Sequence, residues 1–388
     1  MPGMGNQLGK RFASFFQAGF ECSSHRRRDG VRLDLIRATG HDKHARQDYR
    51  LCKRLGFDTI RDGLRWHLIE KSPGKFDWSS WMPMLEAAEE AGLQVIWDLF
   101  HYGVPDCIDA AAPDFPDRFT DFAIAAIEVQ QSISDRPPLV CPLNEINFLS
   151  WAVDEGYFPP VGPMERGWFK LQLVRTAIAA ARALKQRWPD ITIICAEPLI
   201  HIAPHDRRRQ TIRGAKQNLA GMYEAYDWIM GLAKPQLGGD PSFVDVVGWN
   251  FYPHNQWYWN GPTIPMGHHE YRALSDMLVE MADRYGKPIF LSETGAEGSG
   301  RPSWLHYVCN EVRDAISKGC DVHGICWYPI TAYPGWDNSR HADTGLFSSV
   351  VADGSRHVDE RLLAEFEIQR ELFAGLQAGR RVALRLAR

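Results

Sequence analysis

The sequence has no run of 18 consecutive apolar residues, so no membrane-spanning helix is expected in its 388 residues. It also has little excess charge. Its 44 basic and 48 acidic residues give a net charge of −4, which argues against a nucleic-acid or membrane partner. No repeat, low-complexity segment or long linker divides the chain. With 45% hydrophobic and 24% charged residues, the composition excludes disordered, collagen-like and coiled-coil proteins.

Paired cysteine motifs are absent as well. The eight cysteines are scattered without a CxxC pair, and free cysteine beside apolar runs behaves as a small hydrophobe. The polar segment 1–10 and the interrupted apolar stretch 12–20 do not match a secretory signal. We therefore expect a cytoplasmic protein with reduced thiols.

Tryptophan, by contrast, is abundant, with 14 residues in a chain that is 12% aromatic. Flat aromatic faces bind sugar rings, but tryptophan also fills protein cores, and core filling is its commoner use. Composition alone therefore leaves both interpretations open.

Short apolar runs alternate with longer stretches of helical periodicity along the chain. The predicted strands are Phe16–Cys22, Asp58–Arg61, Leu93–Leu99, Leu139–Leu143, Ile191–Ala196, Val244–Trp249, Pro288–Leu291 and Val322–Trp327. Helical patterns lie near residues 42–55, 79–91, 116–134, 167–188, 211–232, 270–286, 302–318 and 358–377. Strands that alternate with helices in this way predict a single (β/α)8 TIM barrel over residues 1–388, with a C-terminal helical tail at about 358–388.

A doubly wound open sheet is the alternative fold. Such a sheet usually carries a glycine-rich phosphate loop after its first strand, and the segment AGFEC at 18–22 does not form one.

Chemically active side chains follow the predicted strands. In a (β/α)8 barrel the active groups lie at the carboxyl ends of the strands. Glu145 follows the fourth predicted strand and Glu293 follows the seventh. Further candidates end the second, third, sixth and eighth strands: Arg61, His101, Asn250, Tyr252 and Trp327. We expect all of these residues on one rim.

Two facing carboxyl groups support retaining glycoside hydrolysis, in which one protonates the leaving oxygen and the other attacks the anomeric carbon. A cation beside the nucleophile lowers its pKa, and Arg61 is the candidate for that cation. Tyr252 is a candidate hydrogen-bond donor to the same carboxylate. Trp327 is a candidate platform for a sugar ring, and Asn144 and His101 are candidate ligands of its hydroxyls.

Each of these residues also has an ordinary structural interpretation. An Asn-Glu pair after a strand is usually a helix cap followed by a first-turn acid, and Glu293 also fits a turn. Arg61 has Asp62 as a simple ion-pair partner. Suitable residue types at the ends of six different strands nevertheless favour the functional interpretation.

The same segments resemble glycoside hydrolase family 1 and the wider superfamily of retaining β-glycosidases, which carry the acid on strand 4 and the nucleophile on strand 7. The resemblance covers roughly residues 16–340 and rests on short motifs: IRDGLRW at 60–66, GKFDW at 74–78, LFHYGVP at 99–105, LNE at 143–145, NFY at 250–252 and SETG at 292–295. It implies that Glu145 is the acid/base and Glu293 the nucleophile. It further implies sugar-hydroxyl contacts from Asn144 and His101, and a subsite floor formed by Trp327.

Several positions depart from the family pattern. The family's sugar-binding glutamine after strand 1 falls near His25 or Arg26, Tyr102 replaces a tryptophan, and Gly335 precedes Trp336 where the family has a glutamate. We therefore do not expect glucose specificity. Trp336 is a candidate sugar contact. The run beginning at Arg26 fits either an acidic sugar or, more commonly, a solvated charge cluster.

Two further carboxylates, Glu197 after the fifth strand and Glu21 after the first, are candidate substrate contacts. No metal or other cofactor is expected, because the histidines lack ligand spacing such as HExxH. The sequence contains no GxSxG motif, which argues against a serine hydrolase.

The sequence thus predicts a retaining β-glycosidase that acts on a small β-glycoside or oligosaccharide. The alternatives are a transglycosylase that uses the same two glutamates and a catalytically silent barrel that binds carbohydrate. The −1 sugar, the linkage, the aglycone and the oligomeric state are left open.

Overall fold

Eight parallel strands close into a barrel in the computed structural model, which describes residues 11–159, 161, 165–336, 338 and 340–386. The barrel strands are β1 (Phe16–Gly19), β2 (Thr59–Gly63), β3 (Gln94–Asp98), β4 (Leu139–Cys141), β5 (Thr192–Pro198), β6 (Val246–Asn250), β7 (Ile289–Thr294) and β8 (Val322–Trp327). Each strand pairs in parallel with the next along the chain, and β8 pairs with β1. The predicted (β/α)8 barrel is confirmed.

The barrel strands are almost continuously buried because both of their faces are covered. Every residue of β6 and of β8 is buried. One set of side chains, which includes Ile96, Val246 and Phe290, forms a separate buried cluster, while a larger cluster joins strands and helices. Burial on both faces explains why apolar runs alone were sufficient to locate these strands.

Helices surround the barrel in the order expected from the sequence. Within the described residues they are α1 (Leu35–Ala38), α2 (His41–Arg54), α3 (Trp66–Ile69), α4 (Met82–Glu90), α5 (Phe115–Ile133), α6 (Ile146–Asp154), α7 (Trp168–Arg187), α8 (Arg209–Ala220), α9 (Glu224–Ile229), α10 (Leu274–Tyr285), α11 (Arg301–Ser317) and α12 (Glu360–Leu386). The single helix predicted near 211–232 is wrong, because a turn at residues 221–223 separates α8 from α9. Helix α6 was not predicted, and it begins directly after Glu145.

The first strand is shorter than predicted. It ends at Gly19, so Glu21 and Cys22 lie in the loop that follows β1 at the carboxyl end of the barrel. A side chain in such a loop belongs to the rim where active groups lie in this fold. The difference therefore bears on the site described below.

Small sheets connect the loops outside the barrel. The segments Glu70–Ser72 and Lys75–Phe76 form a hairpin, and Tyr333–Pro334 pairs with His341–Ala342. A parallel pair, His201–Ala203 with Gln256–Tyr258, joins the loops after β5 and β6.

The C-terminal helix α12 packs against the first strand. The rings of Phe366 and Phe373 lie 5.7 and 5.5 Å from the ring of Phe16, both edge-on. Edge-to-face aromatic pairs of this kind add to the apolar burial. Among the described residues, no helix is long and apolar enough to cross a membrane.

A buried charged network ties the outer face of β2 to α2. His41 Nδ1 lies 2.7 Å from Asp48 and His41 Nε2 lies 2.8 Å from Asp62, while Tyr49 Oη donates to Asp62 at 2.6 Å. Arg356 donates to both oxygens of Asp48. Burial disfavours the charged imidazole, but the two carboxylates outweigh it and raise the pKa of His41 to about 9. His41 is therefore held as a cation between two anions.

This network predicts that stability falls as the pH rises through the pKa of His41. A pKa raised from about 6.5 when unfolded to about 9 when folded gives stability that is complete below pH 6.5 and lost above 9. The loss is about 3 kcal/mol for a shift of this size. Urea denaturation of the wild type and of His41→Gln between pH 6 and 9.5 measures it.

The His41→Gln variant should be less stable than the wild type at pH 6 and should lack most of the pH dependence. His269→Gln, which changes an 80% exposed side chain, is the matched control and should titrate like the wild type. Parallel pH curves for the wild type and His41→Gln would contradict the assignment.

Candidate active site

The sequence-predicted residues converge at the carboxyl ends of the barrel strands. Arg61 is on β2, Asn144 and Glu145 follow β4, Asn250 ends β6 and Glu293 is on β7. Hydrogen bonds join all five into one buried network. The convergence follows from the topology, because parallel strands place all their carboxyl ends on the same rim.

Arg61 is the centre of this network and is 1% exposed. Its Nε and Nη2 donate to the two oxygens of Asp98 at 2.9 and 2.7 Å. Its Nη1 donates to Glu293 Oε1 at 2.8 Å, and Nη2 also donates to Asn144 Oδ1 at 2.7 Å. A buried guanidinium with two carboxylates is compensated in charge and in geometry.

Glu293 is 5% exposed and both of its oxygens are bound. Arg61 contacts Oε1, and Tyr252 Oη donates to Oε2 at 2.8 Å. Burial raises the pKa of Glu293, the Arg61 cation opposes that rise, and the charge of Glu145 adds to it. The predicted partners of Glu293 are thus the ones that the structure places beside it.

Glu145 lies in a different environment. Its Oε2 accepts from Tyr102 Oη at 2.5 Å, and its Oε1 accepts from Asn250 Nδ2 at 2.8 Å. Burial raises the pKa of Glu145, and these two neutral donors oppose the rise. The backbone of Glu145 is left-handed, with φ of 47°, which is uncommon for a non-glycine residue.

The two carboxyl groups form an asymmetric pair. Arg61 touches Glu293 and does not touch Glu145, whose bonded partners are neutral. The contact with Arg61 favours the ionised form of Glu293, and burial raises the pKa of both carboxyl groups.

Tyr102 is a site residue that the sequence analysis noted only as a departure from the family. Its hydroxyl accepts from Asn144 Nδ2 at 3.0 Å and donates to Glu145. A continuous path of hydrogen bonds thus runs from Glu145 through Tyr102, Asn144 and Arg61 to Glu293. The sequence signal was the tyrosine directly after His101, but its partner depends on the left-handed backbone at Tyr102, with φ of 68°.

His101 is oriented by Asp98, a second residue that was missed. Asp98 Oδ2 lies 2.8 Å from His101 Nδ1, and Asn144 Nδ2 lies 3.0 Å from His101 Nε2. Because Arg61 fixes the amide oxygen of Asn144, its Nδ2 is the donor and His101 Nε2 the acceptor. Burial disfavours the charged imidazole of His101, but the contact with Asp98 outweighs it and raises the pKa of His101 above its usual value.

One cluster among the described residues has the spacing of metal ligands: Cys22, Asp98 and His101 place one atom each within 4.8 Å of the others. The Asp98 carboxylate, however, is already occupied on both oxygens by Arg61. A divalent cation at this point would lie beside a buried guanidinium, which is electrostatically unfavourable. The donor set fits an oriented histidine better than a metal site.

Glu197 lies behind Glu145 and is 2% exposed. Its two oxygens accept from the backbone N–H groups of Ile146 and Asn147 at 2.8 and 3.0 Å, at the start of α6. Burial raises the pKa of Glu197 to about 8. The structure gives Glu197 the place of a helix cap that holds the backbone after Glu145, and its predicted contact with substrate stays a prediction.

The remaining predicted contacts lie at different depths. Trp327 is fully buried, and its Nε1 donates to Thr344 O at 3.0 Å, so its ring lies beneath the rim. Trp336 is half-buried and packs 4.5 Å from His25. Arg26 binds Asp106 at 2.8 Å. Among the described residues, it forms no hydrogen bond or ion pair with any of the predicted site residues.

Removing Arg61 should strongly destabilise the protein, because Asp98 and Glu293 would lose their shared cation. Deleting one partner of a buried ion pair costs about 3–5 kcal/mol. Urea denaturation of Arg61→Met at pH 7 measures the loss. The deficit should shrink toward pH 4 as the two carboxylates take up protons.

Arg46→Ala is the control, since it breaks an ion pair with Glu90 in which the side chains are 51% and 45% exposed. Exposed pairs of this kind contribute about 0–1 kcal/mol. Equal destabilisation by the two variants would contradict the central role of Arg61.

Solved structures of β-glucosidases share this fold. A β-glucosidase from Thermotoga maritima, in complex with glucoimidazole, matches with a TM-score of 0.73 and 13% identity over 94% of this chain and 99% of that chain. A family 1 β-glucosidase from Thermotoga maritima, in complex with isofagomine lactam, matches with a TM-score of 0.74 and 14% identity over 94% of this chain and 99% of that chain. The β-glycosidase BGL167 matches with a TM-score of 0.68 and 17% identity over 86% of this chain and 87% of that chain.

Comparisons of sequence alone give no match: no protein-family model and no curated protein matches the chain. At 13–17% identity the structural likeness concerns the fold. The resemblance inferred from the sequence motifs is therefore confirmed for the fold: the chain has the barrel fold of these β-glucosidases.

Proposed function

We propose that this protein is a retaining β-glycosidase that hydrolyses a small β-glycoside. The observation that carries the proposal is the asymmetric pair of carboxyl groups on one rim, of which Glu293 is buried and Glu145 half-buried. Glu293 is bound to a cation and a tyrosine hydroxyl, and Glu145 is bound to two neutral donors. Two carboxyl groups with opposite protonation states are what a double displacement at an anomeric carbon requires.

In the first step Glu293 attacks the anomeric carbon while Glu145 donates its proton to the glycosidic oxygen. The C–O bond to the leaving group breaks, and an ester between the sugar and Glu293 forms. Arg61 and Tyr252 hold the Glu293 oxygens, so the attacking group is oriented before substrate binds. In the second step Glu145 takes a proton from water, whose oxygen attacks the same carbon and releases Glu293.

The names of the similar structures support the same reaction class, since they are β-glucosidases and bind sugar-like compounds such as glucoimidazole. Glucose itself is not part of the proposal, because Gly335 and Tyr102 replace residues of the family pattern. We propose a small-molecule carbohydrate as the substrate class. The first experiment is nitrophenol release from aryl β- and α-glycosides of glucose, galactose, fucose, xylose, mannose and glucuronic acid.

Replacing either glutamate should abolish or strongly reduce hydrolysis. Glu293→Gln removes the nucleophile and should leave no measurable turnover. Glu145→Gln removes the general acid, which contributes on the order of 10²- to 10⁴-fold to the rate of bond cleavage. The loss of rate should be larger for alkyl glycosides than for nitrophenyl glycosides. Steady-state kinetics measure both losses, and proton NMR of the first product should show the β-anomer.

Glu70→Gln is a suitable control, because Glu70 is a buried carboxylate that binds Trp66 and Gly74 and, among the described residues, forms no hydrogen bond with Glu145 or Glu293. An α-anomer as first product, or turnover that survives in Glu293→Gln, would refute the double displacement. A sugar product transferred to an added acceptor in preference to water would favour the transglycosylase alternative.

Removal of the Tyr102 hydroxyl should shift the pH dependence of catalysis. The hydroxyl stabilises the charged form of Glu145, so Tyr102→Phe should raise the pKa of Glu145 further. Glu145 must be protonated in the first step, and the alkaline limb of kcat/KM should therefore move to higher pH. A pH profile of the variant measures this shift. Tyr157→Phe, at a 60% exposed tyrosine, should leave the limb in place.

A further inference from the structure

Glu21 is a buried carboxylate with one unoccupied oxygen. It follows β1, and its residue is 6% exposed. Its Oε1 accepts from the backbone N–H of Ser23 at 3.0 Å and from Ser23 Oγ at 2.6 Å. Within the part of the chain that the structure describes, no side chain forms an ion pair with Glu21 and no donor contacts its Oε2.

Other buried carboxylates of this protein are satisfied on both oxygens. Glu70 binds Trp66 Nε1 and the backbone of Gly74, and Glu197 binds two N–H groups of α6. Asp98 and Glu293 share Arg61. A buried carboxylate that lacks both a cation and a full set of donors is costly, so its presence calls for a partner that arrives with a ligand.

The position of Glu21 points to the same site. Ser23 Oγ, which donates to Glu21, accepts from Trp336 Nε1 at 3.1 Å, so the carboxylate and the Trp336 ring are held together. The charge of Glu21 also acts on the two tyrosines that bind the catalytic pair. Burial is the largest cause of the raised pKa values of Tyr102 and Tyr252, and Glu21 adds to both.

The neighbouring arginines do not neutralise Glu21. Arg26 and Arg32 both bind Asp106, and Arg27 binds Asp29. Two members of the basic run that raised the prospect of an acidic sugar, Arg26 and Arg27, are thus paired with aspartates. The carboxylate of Glu21 instead places a negative charge beside the site, and this charge disfavours binding of a uronic acid or a phosphorylated sugar.

We propose that Glu21 is a sugar-binding residue that accepts hydrogen bonds from hydroxyl groups of the sugar in the −1 subsite, and that the substrate is a neutral glycoside. The proposal rests on the proposed function. A hydroxyl of the sugar would donate to Oε2, the oxygen that no described residue contacts. Ser23 holds the carboxylate in place, and Trp336 offers an aromatic face beside it.

A binding experiment tests this proposal without relying on turnover. The probes are basic iminosugars and their neutral lactams in the gluco, galacto, manno, xylo and fuco configurations, measured by titration calorimetry. For the configuration that the wild type binds, Glu21→Gln should raise Kd by roughly 10- to 100-fold, the effect expected for losing a hydrogen bond to a charged group. Both the amine and the lactam should lose affinity, since the contact is to hydroxyls.

Stability distinguishes a binding role from a structural one. Glu21→Gln keeps the acceptor oxygen that Ser23 contacts and removes an uncompensated buried charge, so its Tm should be no lower than that of the wild type. Glu70→Gln is the matched control. Its amide would face a backbone or indole N–H, so it should lower Tm and leave Kd unchanged.

Deoxy substrates identify the hydroxyl concerned. In the wild type, removal of the contacted hydroxyl from an aryl glycoside should reduce kcat/KM, and in Glu21→Gln the same removal should cost almost nothing further. Ser23→Ala, which frees the carboxylate without removing it, should give an intermediate loss of affinity. This second variant tests the geometry independently of the charge.

An unchanged Kd in Glu21→Gln, a loss confined to the basic probes, or a fall in Tm equal to that of Glu70→Gln would overturn the proposal. Failure of the wild type to bind any probe would overturn it as well. If affinity falls in Glu21→Gln but no glycoside is hydrolysed, the Glu21 proposal stands and the catalytic proposal fails. If the wild type hydrolyses a glycoside and Kd is unaffected in Glu21→Gln, the catalytic proposal stands and the Glu21 proposal fails.

Discussion

The buried guanidinium of Arg61 is the contact on which the rest of the site depends. It binds Asp98, Glu293 and Asn144 at once and is almost completely shielded from water. Because a buried charge is tolerated only with well-placed partners, each of these groups is held in position by the others. Asp98 in turn orients His101, and Asn144 orients the hydroxyl of Tyr102. One side chain on β2 therefore sets the orientation of groups on four other strands or loops.

The same contact decides how the two catalytic candidates differ. Glu293 is buried and Glu145 is half-buried, and burial raises the pKa of each. Of the two, Arg61 contacts Glu293, and this contact favours the ionised form of Glu293. Chemical asymmetry thus arises from the position of one arginine and not from the acids themselves. The backbone after Glu145 is fixed by a separate contact, the cap that Glu197 places on α6.

Stability and proposed function draw on different buried charges. His41, Asp48, Asp62 and Arg356 form a closed network on the outer face of β2, in which each carboxylate has a cation. Glu21 on the inner rim has none, and its second oxygen has no donor among the described residues. Fully paired groups of the first kind hold helix to strand. An incompletely paired group of the second kind is retained at a cost, which is typical of positions that meet a ligand.

The sequence by itself determined the barrel and the residues at the ends of its strands. Apolar runs buried on both faces mark the strands, and parallel topology then places Arg61, Glu145 and Glu293 on one rim. The partners of these residues were decided only by the tertiary structure. Tyr102 reaches Glu145 through a left-handed backbone, and Glu197 turns from the rim to cap a helix that the sequence did not predict. Such contacts depend on backbone angles and loop paths, which hydrophobic periodicity does not encode.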